Sequence, residues 1–201
     1  MARTRDPERV GERRRTITRA ATALFAEHGY ERTTAAQIAG AAGLSPGSVF
    51  YYFPDKAAVF RSIFEQSIPE HSELIARHLD RTDCLAAILD IVDGLAAEAT
   101  DPAAPGLLVE LLRRLGHDEE LATVVGADAT QSAQALTDLL ERGIAAGQID
   151  PGLPPKDTAR WILSIIDAAF LNIDPENPHD PRALVHTTVA RLLRPPVEEE
   201  S

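Results

Sequence analysis

The fold of this chain is decided by residues 33–56, TTAAQIAGAAGLSPGSVFYYFPDK. Thr34 and Gln37 have the spacing of a capping box, in which the threonine hydroxyl accepts from the Gln37 N–H and the Gln37 amide reaches back. A helix is therefore expected to begin at about Ala35. It should end at Gly43, because glycine is favoured in the left-handed conformation just past a helix end.

A second, short helix is expected directly after this turn. Ser45 has the side chain of a helix cap, and Pro46 suits the first helical position because its missing N–H loses no hydrogen bond. Pro54 disfavours helical geometry at the residue before it, so this helix ends early. A third helix should begin at Lys56. The resulting order of helix, glycine turn and helix is that of a helix-turn-helix.

The side chains of this motif divide into an apolar seam and an opposite face. In a helix-turn-helix that binds DNA, residues near the start of the second helix read bases, and its flanks contact phosphates. Ser48 and Tyr51 can donate to bases or phosphates, Pro46 and Gly47 present helix N-terminal backbone, and Lys56 can neutralise a phosphate. Capped helical pairs also occur in enzymes and bundles, so the turn alone leaves DNA binding open. The expected seam consists of Ile38, Ala39, Ala42, Leu44, Val49 and Tyr52.

A longer string, FAEHGYERTTAAQIAGAAGLSPGSVFYYFPDKAAVF at residues 25–60, resembles the N-terminal domain of the TetR family of transcriptional regulators. It follows that family's pattern of F-x-x-x-G-[YF]-x-x-T-T, I-A-x-x-A-G-[VL]-S, G-[ST]-[LVI]-[YF]-x-[YH]-F and K-x-x-[LV]. The resemblance implies an all-α fold with a three-helix DNA-binding head, residues 1–55, and a larger helical effector-binding and dimerisation body, residues 56–201. It also implies a ligand-responsive repressor that leaves its operator when a small, mostly apolar effector binds.

The resemblance further implies which residues contact DNA. Two positions depart from the family pattern, because Phe50 stands where a tyrosine usually donates to phosphate and Ala36 where a longer polar side chain often reaches a base. Base readout is therefore expected mainly from Gln37, Ser48 and Tyr51. The complete set of expected DNA contacts is Thr34, Ala36, Gln37, Pro46, Gly47, Ser48, Phe50, Tyr51, Tyr52 and Lys56.

The charge is divided unevenly along the chain. The net charge is −11, which by itself does not suit a DNA-binding protein. Residues 1–66, however, hold ten basic and seven acidic side chains, while the remainder holds ten basic and 24 acidic ones. Residues 1–66 therefore carry +3 and the remainder −14, as expected for a DNA-facing module attached to an acidic body. Before the first helix lies a basic tail, which either reaches the DNA or is simply solvated.

The body is expected to be helical almost throughout. A proline inside a helix removes a hydrogen bond and kinks it, so the first of these helices is expected to bend at Pro69. The expected helices cover residues 8–28 in the head, and then 56–77 or 56–79, 84–99, 107–115, 118–146, 156–173 and 182–194.

The last two of these helices carry more apolar surface than one small core needs. In the TetR family the last two long helices pair with their copies in a second subunit, so the resemblance implies a homodimer. Two-fold symmetry would match a palindromic operator in double-stranded DNA. The expected dimerisation residues are Trp161, Ile165, Ala169, Leu184, Val185, Thr188 and Leu192.

The other body helices supply apolar side chains with a few polar groups among them, as is typical of a small-molecule site. Asp167, within WILSIIDAAFLNI, is the most notable polar member because an unpaired buried carboxylate is costly. It could bind a cationic effector or hold a helix terminus at the dimer interface, and the sequence leaves both open. The expected effector site is lined by Phe60, Phe64, Ile68, His71, Ile91, Leu95, Leu108, Leu112, Gln131, Leu136 and Asp167.

The alternatives are an enzyme and a helical protein-binding adaptor without sequence-specific DNA binding. The chain has no glycine-rich phosphate loop, GxSxG, CxxC or HExxH motif, so enzymatic activity, metal ions and other cofactors are not expected. The single Cys84 forms no internal disulfide, and no signal peptide or run of about 18 apolar residues occurs. A cytoplasmic protein is therefore expected. The operator sequence, the effector and the choice between repression and activation do not follow from the sequence.

Overall fold

The computed structural model describes residues 7–172 and 180–194, and every regular element in these ranges is a helix. The all-α prediction is confirmed. Within these ranges, no helix combines the length and the apolar character that crossing a membrane requires. The α-helices are α1 (Pro7–His28), α2 (Ala35–Ala41), α3 (Val49–Tyr52), α4 (Lys56–Ala76), α5 (Cys84–Ala96), α6 (Ala104–Leu115), α7 (Glu119–Ala145), α8 (Pro155–Leu171) and α9 (Arg182–Leu193).

The helix limits agree with the predicted ones to within a few residues, and one helix of the second unit differs in type. The helix expected over residues 84–99 is α-helical only to Ala96 and continues as a 3-10 helix over Ala97–Thr100. Helix α4 runs through Pro69, and the expected bend there stays a prediction. The basic tail before Pro7 and the predicted end of α8 at Ile173 lie outside the described residues.

The chain forms two compact units. The first unit comprises residues within Met1–Ser67 and Ala103–Val125, and the second comprises residues within Ile68–Pro102 and Gly126–Ser201. These limits differ from the predicted division after residue 55, because the first half of α4 and all of α6 pack with the N-terminal helices. As a functional boundary, the predicted division stays a prediction.

An aromatic cluster fills the core of the first unit. Phe25 stacks on Tyr30 with ring centroids 5.5 Å apart, and Phe60 meets Phe25 and Tyr30 edge-on at 5.2 and 5.5 Å. Such edge-on geometry aligns the positive ring edge with the negative face of its neighbour. Helix α6 approaches α1 closely at Gly106, where a Cβ would lie 2.4 Å from the Ala26 carbonyl oxygen. Helix α6 is therefore an integral part of this unit.

Helix α5 lies at the centre of the second unit and packs against α8 and α9, which also pack against each other. Its periodic apolar residues make this possible, since their spacing places them on the faces turned towards these helices. The buried residues of α5 are Cys84, Ala87, Ile88, Ile91, Val92, Leu95 and Ala96.

A charged cluster ties three segments of the second unit together. His71 of α4 approaches Glu98 through Nε2 at 2.7 Å and Asp128 of α7 through Nδ1 at 3.6 Å. Hydrogen bonding to Asp128 and to Glu98 raises the pKa of His71 to about 10. His71 is therefore a cation at neutral pH. It was expected in the effector site, but the structure gives it this ion-pairing role.

This cluster predicts a pH-dependent contribution to stability. Because the pKa of His71 is higher in the folded protein than in the unfolded chain, its contribution is complete below about pH 6.5 and is lost as the pH rises towards 10. His71→Gln should lower the free energy of unfolding by about 1 to 3 kcal/mol at pH 6, and the difference from wild type should shrink by pH 10. Chemical denaturation at both pH values measures it.

The matched control is His117→Gln, at an exposed position outside the cluster. It should change stability little at either pH. A difference between wild type and His71→Gln that stays constant from pH 6 to pH 10 would contradict the charged state of His71.

Candidate nucleic-acid interface

The start of α2 has the geometry that its sequence predicts. Thr34 Oγ1 accepts a hydrogen bond from the Gln37 backbone N–H at 3.3 Å, and Gln37 Oε1 accepts one from the Thr34 backbone N–H at 2.8 Å. The Thr34 hydroxyl also donates to the same oxygen, at 2.9 Å. Both halves of the capping box are present, so two backbone N–H groups at this helix end are satisfied.

The turn after α2 depends on Gly43, whose φ of +68° lies in the left-handed region that favours glycine. The Leu44 N–H donates to the Ala39 carbonyl at 2.8 Å and closes the helix end. A single 3-10 turn, Pro46–Ser48, then leads into α3. We call Pro46–Tyr52 the recognition segment. It is a 3-10 turn followed by one α-helical turn, whereas the sequence predicted one short helix.

The expected cap at Ser45 is not formed. The Ser45 side chain makes no capping hydrogen bond to the backbone, and its hydroxyl lies 2.7 Å from the Ser48 hydroxyl instead. The Ser48 N–H, which such a cap could satisfy, donates to the Ser45 carbonyl at 2.9 Å instead. Ser48 therefore already has one hydrogen-bond partner on the protein.

The apolar seam between α2 and the recognition segment is confirmed. Ile38, Ala39 and Val49 are fully buried, and the other members of the expected seam are partly buried. Burial of one face leaves the opposite face for solvent. Phe50 and Tyr51 are 55% and 57% exposed. Of the expected DNA contacts, the exposed ones are Thr34, Ala36, Gln37, Pro46, Gly47, Phe50 and Tyr51, and the partly buried ones are Ser48, Tyr52 and Lys56.

Arg14 of α1 anchors the end of the recognition segment, a contact that sequence reasoning missed. Its Nη1 donates to the Tyr52 carbonyl at 2.6 Å, and its guanidinium lies 4.2 Å from the centre of the Phe53 ring. The run of three arginines at residues 13–15 indicated positive charge but not this contact, because the partner lies 38 residues away. Arg14 holds the recognition segment against α1.

Lys56 is engaged with the protein itself. Its Nζ donates to the carbonyls of Tyr30 at 2.8 Å, Thr33 at 3.1 Å and Glu31 at 3.4 Å. An ammonium group has three donors, so these carbonyls use its hydrogen-bonding capacity. The structure thus gives Lys56 a role in holding residues 30–33, the loop before α2. Its expected contact with phosphate stays a prediction.

The residues expected to line an effector site are divided between the two units. Phe60 is fully buried in the aromatic cluster of the first unit, whereas Leu112 is 57% exposed there. Ile91 and Leu136 are fully buried in the core of the second unit, whereas Gln131 is exposed. The first unit holds Phe60, Phe64, Leu108 and Leu112, and the second holds Ile68, His71, Ile91, Leu95, Gln131, Leu136 and Asp167.

Asp167 lies on the exposed surface of α8 and not in the core of the second unit. Nearby protein atoms still remove enough water from its carboxyl group to raise its pKa. Exposed Leu171 follows one helical turn later, so the two side chains share a face of α8. Among the residues that the structure describes, no group of three or more His, Cys, Asp or Glu side chains is placed to hold a metal ion.

The expected dimerisation residues divide between surface and core. Trp161 and Leu184 are 66% and 69% exposed, and Thr188 and Leu192 are also exposed. Ile165 is partly buried. Ala169 and Val185 are buried in the core of the second unit, and their expected role in dimerisation stays a prediction. Val185 shares an inward stripe with Val189 and Leu193, four and eight residues later, which turns it away from solvent.

The capped helix, the glycine turn and the exposed recognition segment together form a helix-turn-helix, a motif that many DNA-binding proteins use. Residues 17–63 match the family model described as bacterial regulatory proteins, tetR family. Over 159 residues the chain is 28% identical to the HTH-type transcriptional repressor Rv1474c of Mycobacterium tuberculosis, covering 79% of this chain and 80% of that relative. The chain is thus similar to transcriptional regulators of the TetR family, and the family match itself covers residues 17–63.

Solved structures share its fold. FadR from Bacillus subtilis in complex with stearoyl-CoA aligns with a TM-score of 0.75 at 21% identity, covering 89% of this chain and 97% of that one. AibR in complex with isovaleryl coenzyme A and operator DNA also aligns with a TM-score of 0.75, at 16% identity, covering 92% and 99%. These similarities support a DNA-binding transcriptional regulator over the enzyme and adaptor alternatives.

The contacts of Lys56 and Tyr51 predict different effects of substitution. Lys56→Met should lower the free energy of unfolding by about 1 to 3 kcal/mol, because three carbonyls lose a charged donor. Tyr51→Ala should change stability by less than about 0.5 kcal/mol, as at most surface sites, but weaken DNA binding by about 1 to 3 kcal/mol. Chemical denaturation and fluorescence anisotropy measure these effects.

The DNA for this measurement is the duplex that the wild-type protein selects from a randomised library, here called the selected duplex. If Lys56→Met unfolds like wild type yet binds all duplexes equally weakly, Lys56 contacts phosphate and does not hold the loop. If Tyr51→Ala leaves affinity and specificity unchanged, the recognition segment is assigned wrongly.

Proposed function

We propose that this protein is a homodimeric repressor that binds a palindromic operator through its recognition segment and releases it when a small apolar effector binds. The observation that carries this proposal is the recognition segment itself, held by a buried seam and a capped α2 while its outer side chains stay exposed. A DNA-binding protein of this kind would act in the cytoplasm, where its operator is.

Different residues in and beside the recognition segment suit contacts with phosphates, base edges and apolar groups of DNA. The exposed backbone at Pro46 and Gly47 suits a phosphate, since the start of a helix presents N–H groups and positive dipole. Gln37, Ser48 and Tyr51 carry the donors that reach base edges or phosphates. Phe50 and Ala36 are exposed without a polar group, and they suit apolar contact, for example with a thymine methyl group.

The outer face of α8 and α9 supports the homodimer. Trp161, Leu171, Leu184 and Leu192 are all exposed, although each would be more stable away from water. These residues, which we call the outer apolar face, lie on two helices that pack against each other. A second copy of the chain would cover them and give the two-fold symmetry of a palindromic operator. The position of Asp167 on the same helix supports the dimer interface, and not the effector site, as its location.

Leu184→Glu should therefore disrupt the dimer, because it places a charge in the outer apolar face. Size-exclusion chromatography with light scattering should show a monomer, and affinity for the selected duplex should fall about 100-fold or more, because two linked heads bind more tightly than one. Leu112→Glu, at a similarly exposed leucine of α6, is the matched control and should remain a dimer. A dimeric Leu184→Glu variant beside a monomeric Leu112→Glu variant would place the interface on α6.

The second unit is the proposed place of the effector. Among its described residues, the buried apolar side chains are aliphatic except for Cys84, with many alanines, and such side chains suit contact with an apolar ligand. The two solved structures named above hold coenzyme A thioesters in a helical fold of this type. Ile91, Leu95 and Leu136 are the residues most suited to contact an apolar group here.

A thermal-shift screen that includes coenzyme A thioesters of several chain lengths should find a compound that stabilises the protein. That compound should weaken binding to the selected duplex, and a tenfold weakening requires that the DNA complex bind the compound tenfold more weakly, a coupling of about 1.4 kcal/mol. Leu95→Trp should reduce its affinity by filling the site. A compound that stabilises the dimer but leaves DNA affinity untouched would contradict the coupling.

A further inference from the structure

The loop of residues 29–33 sets where α2 begins. Thr34, the N-cap residue of α2, follows this loop directly. Gly29 has a φ of +80°, and the Thr33 hydroxyl donates to the Gly29 carbonyl at 2.8 Å. These local contacts give the loop its shape. They do not fix its position against the rest of the first unit.

Two residues of α6 supply that fixation. The buried Glu110 accepts a hydrogen bond from the Tyr30 backbone N–H through Oε2 at 3.1 Å. Its other oxygen, Oε1, accepts from Arg113 at 2.7 Å, so the carboxylate has a partner on both sides. Glu110 lies 80 residues after the group that it binds, in a helix outside the helix-turn-helix.

Arg114, on the same helix as Glu110, contacts the side chain of Tyr30. Its guanidinium lies 3.6 Å from the centre of the Tyr30 ring, which is 8% exposed. Its carboxylate partners lie beyond hydrogen-bond distance, with Nη2 3.6 Å from Asp118 and Nη1 3.9 Å from Glu31. Nε of Arg114 is buried without a hydrogen-bond partner. This guanidinium therefore packs on the Tyr30 ring and makes no short hydrogen bond to either carboxylate.

The loop is thus held from two directions. The Lys56 ammonium donates to the carbonyls of Tyr30, Glu31 and Thr33. The Glu110 carboxylate accepts from the Tyr30 N–H. Loss of the Lys56 ammonium or of the Glu110 carboxylate leaves buried backbone groups of the loop without partners and lets the loop move. Movement of the loop displaces Thr34, and with it α2 and the recognition segment packed against α2. Base contacts require accurate placement of the reading side chains.

We propose that Glu110 and Arg114 are positioning residues for DNA binding. They act without contacting DNA, by holding the Tyr30 loop so that the recognition segment meets base edges. Their loss should lower specificity, because non-specific binding depends on phosphate contacts that tolerate displacement.

The test compares Glu110→Ala, Glu110→Gln and Glu141→Ala in the full chain. Glu141, exposed on α7, is the matched control for loss of one negative charge. The ratio of affinities for the selected duplex and a scrambled duplex of equal length, measured by anisotropy well below the unfolding temperature, should fall about tenfold in Glu110→Ala, a typical coupling between separate sites. Glu110→Gln should recover most of this ratio, because its amide oxygen still accepts from Tyr30.

Amide hydrogen exchange gives a second readout, in which the Tyr30 N–H should exchange faster in Glu110→Ala than in wild type and Glu110→Gln. If Glu110→Ala does not fold, Arg114→Met, which keeps the length of the side chain without its charge, should show the same loss of specificity. An unchanged ratio in a folded Glu110→Ala or Arg114→Met variant overturns the proposal, as does an equal loss in Glu141→Ala.

If the proposed DNA-binding function is wrong, the experiment gives a different result from the one expected if only the positioning role is wrong. In that case the wild-type protein would select no duplex, and its binding to any duplex would not depend on salt. The positioning role of Glu110 and Arg114 is tested by comparing variants on the selected duplex, after the wild-type protein has been shown to bind that duplex.

Discussion

The first unit depends on the surroundings of the Tyr30 ring. Phe25 and Phe60 contact it with centroids 5.5 Å away, and the cationic groups of Lys56 and Arg114 lie 4.2 and 3.6 Å from its centre. Helices α1, α4 and α6 thereby converge on one side chain at the entrance to α2. Because each of these contacts requires a defined orientation of the ring, they hold the entrance in one conformation.

The helix-turn-helix could be predicted because its determinants are local. The capping box spans four residues, and Gly43 acts on its immediate neighbours. The residues that hold this motif in place could not be predicted in the same way, since Lys56 binds carbonyls 23 to 26 residues earlier and Glu110 an N–H 80 residues earlier. A charged side chain in a sequence gives no indication of such a distant partner.

Helices α8 and α9 show a second limit of sequence reasoning. Apolar residues occur around much of α9, so the sequence indicated an excess of apolar surface but not which residues face outwards. Leu184 and Val185 are neighbours of similar hydrophobicity, yet one is exposed and the other buried, because successive residues of a helix point about 100° apart. The packing of α9 on α5, a long-range property, decides between them.

The capping box also limits what Gln37 can recognise. An amide side chain that reads adenine uses its oxygen to accept from the adenine amino group and its nitrogen to donate to N7. In this protein the Gln37 oxygen already accepts from the Thr34 N–H and hydroxyl, which occupies both of its lone pairs. Only the NH₂ group is left for DNA, and it can only donate. At a base edge, Gln37 therefore favours acceptors such as guanine O6 and N7 or thymine O4, and the helix cap narrows the choice of base before any DNA is bound.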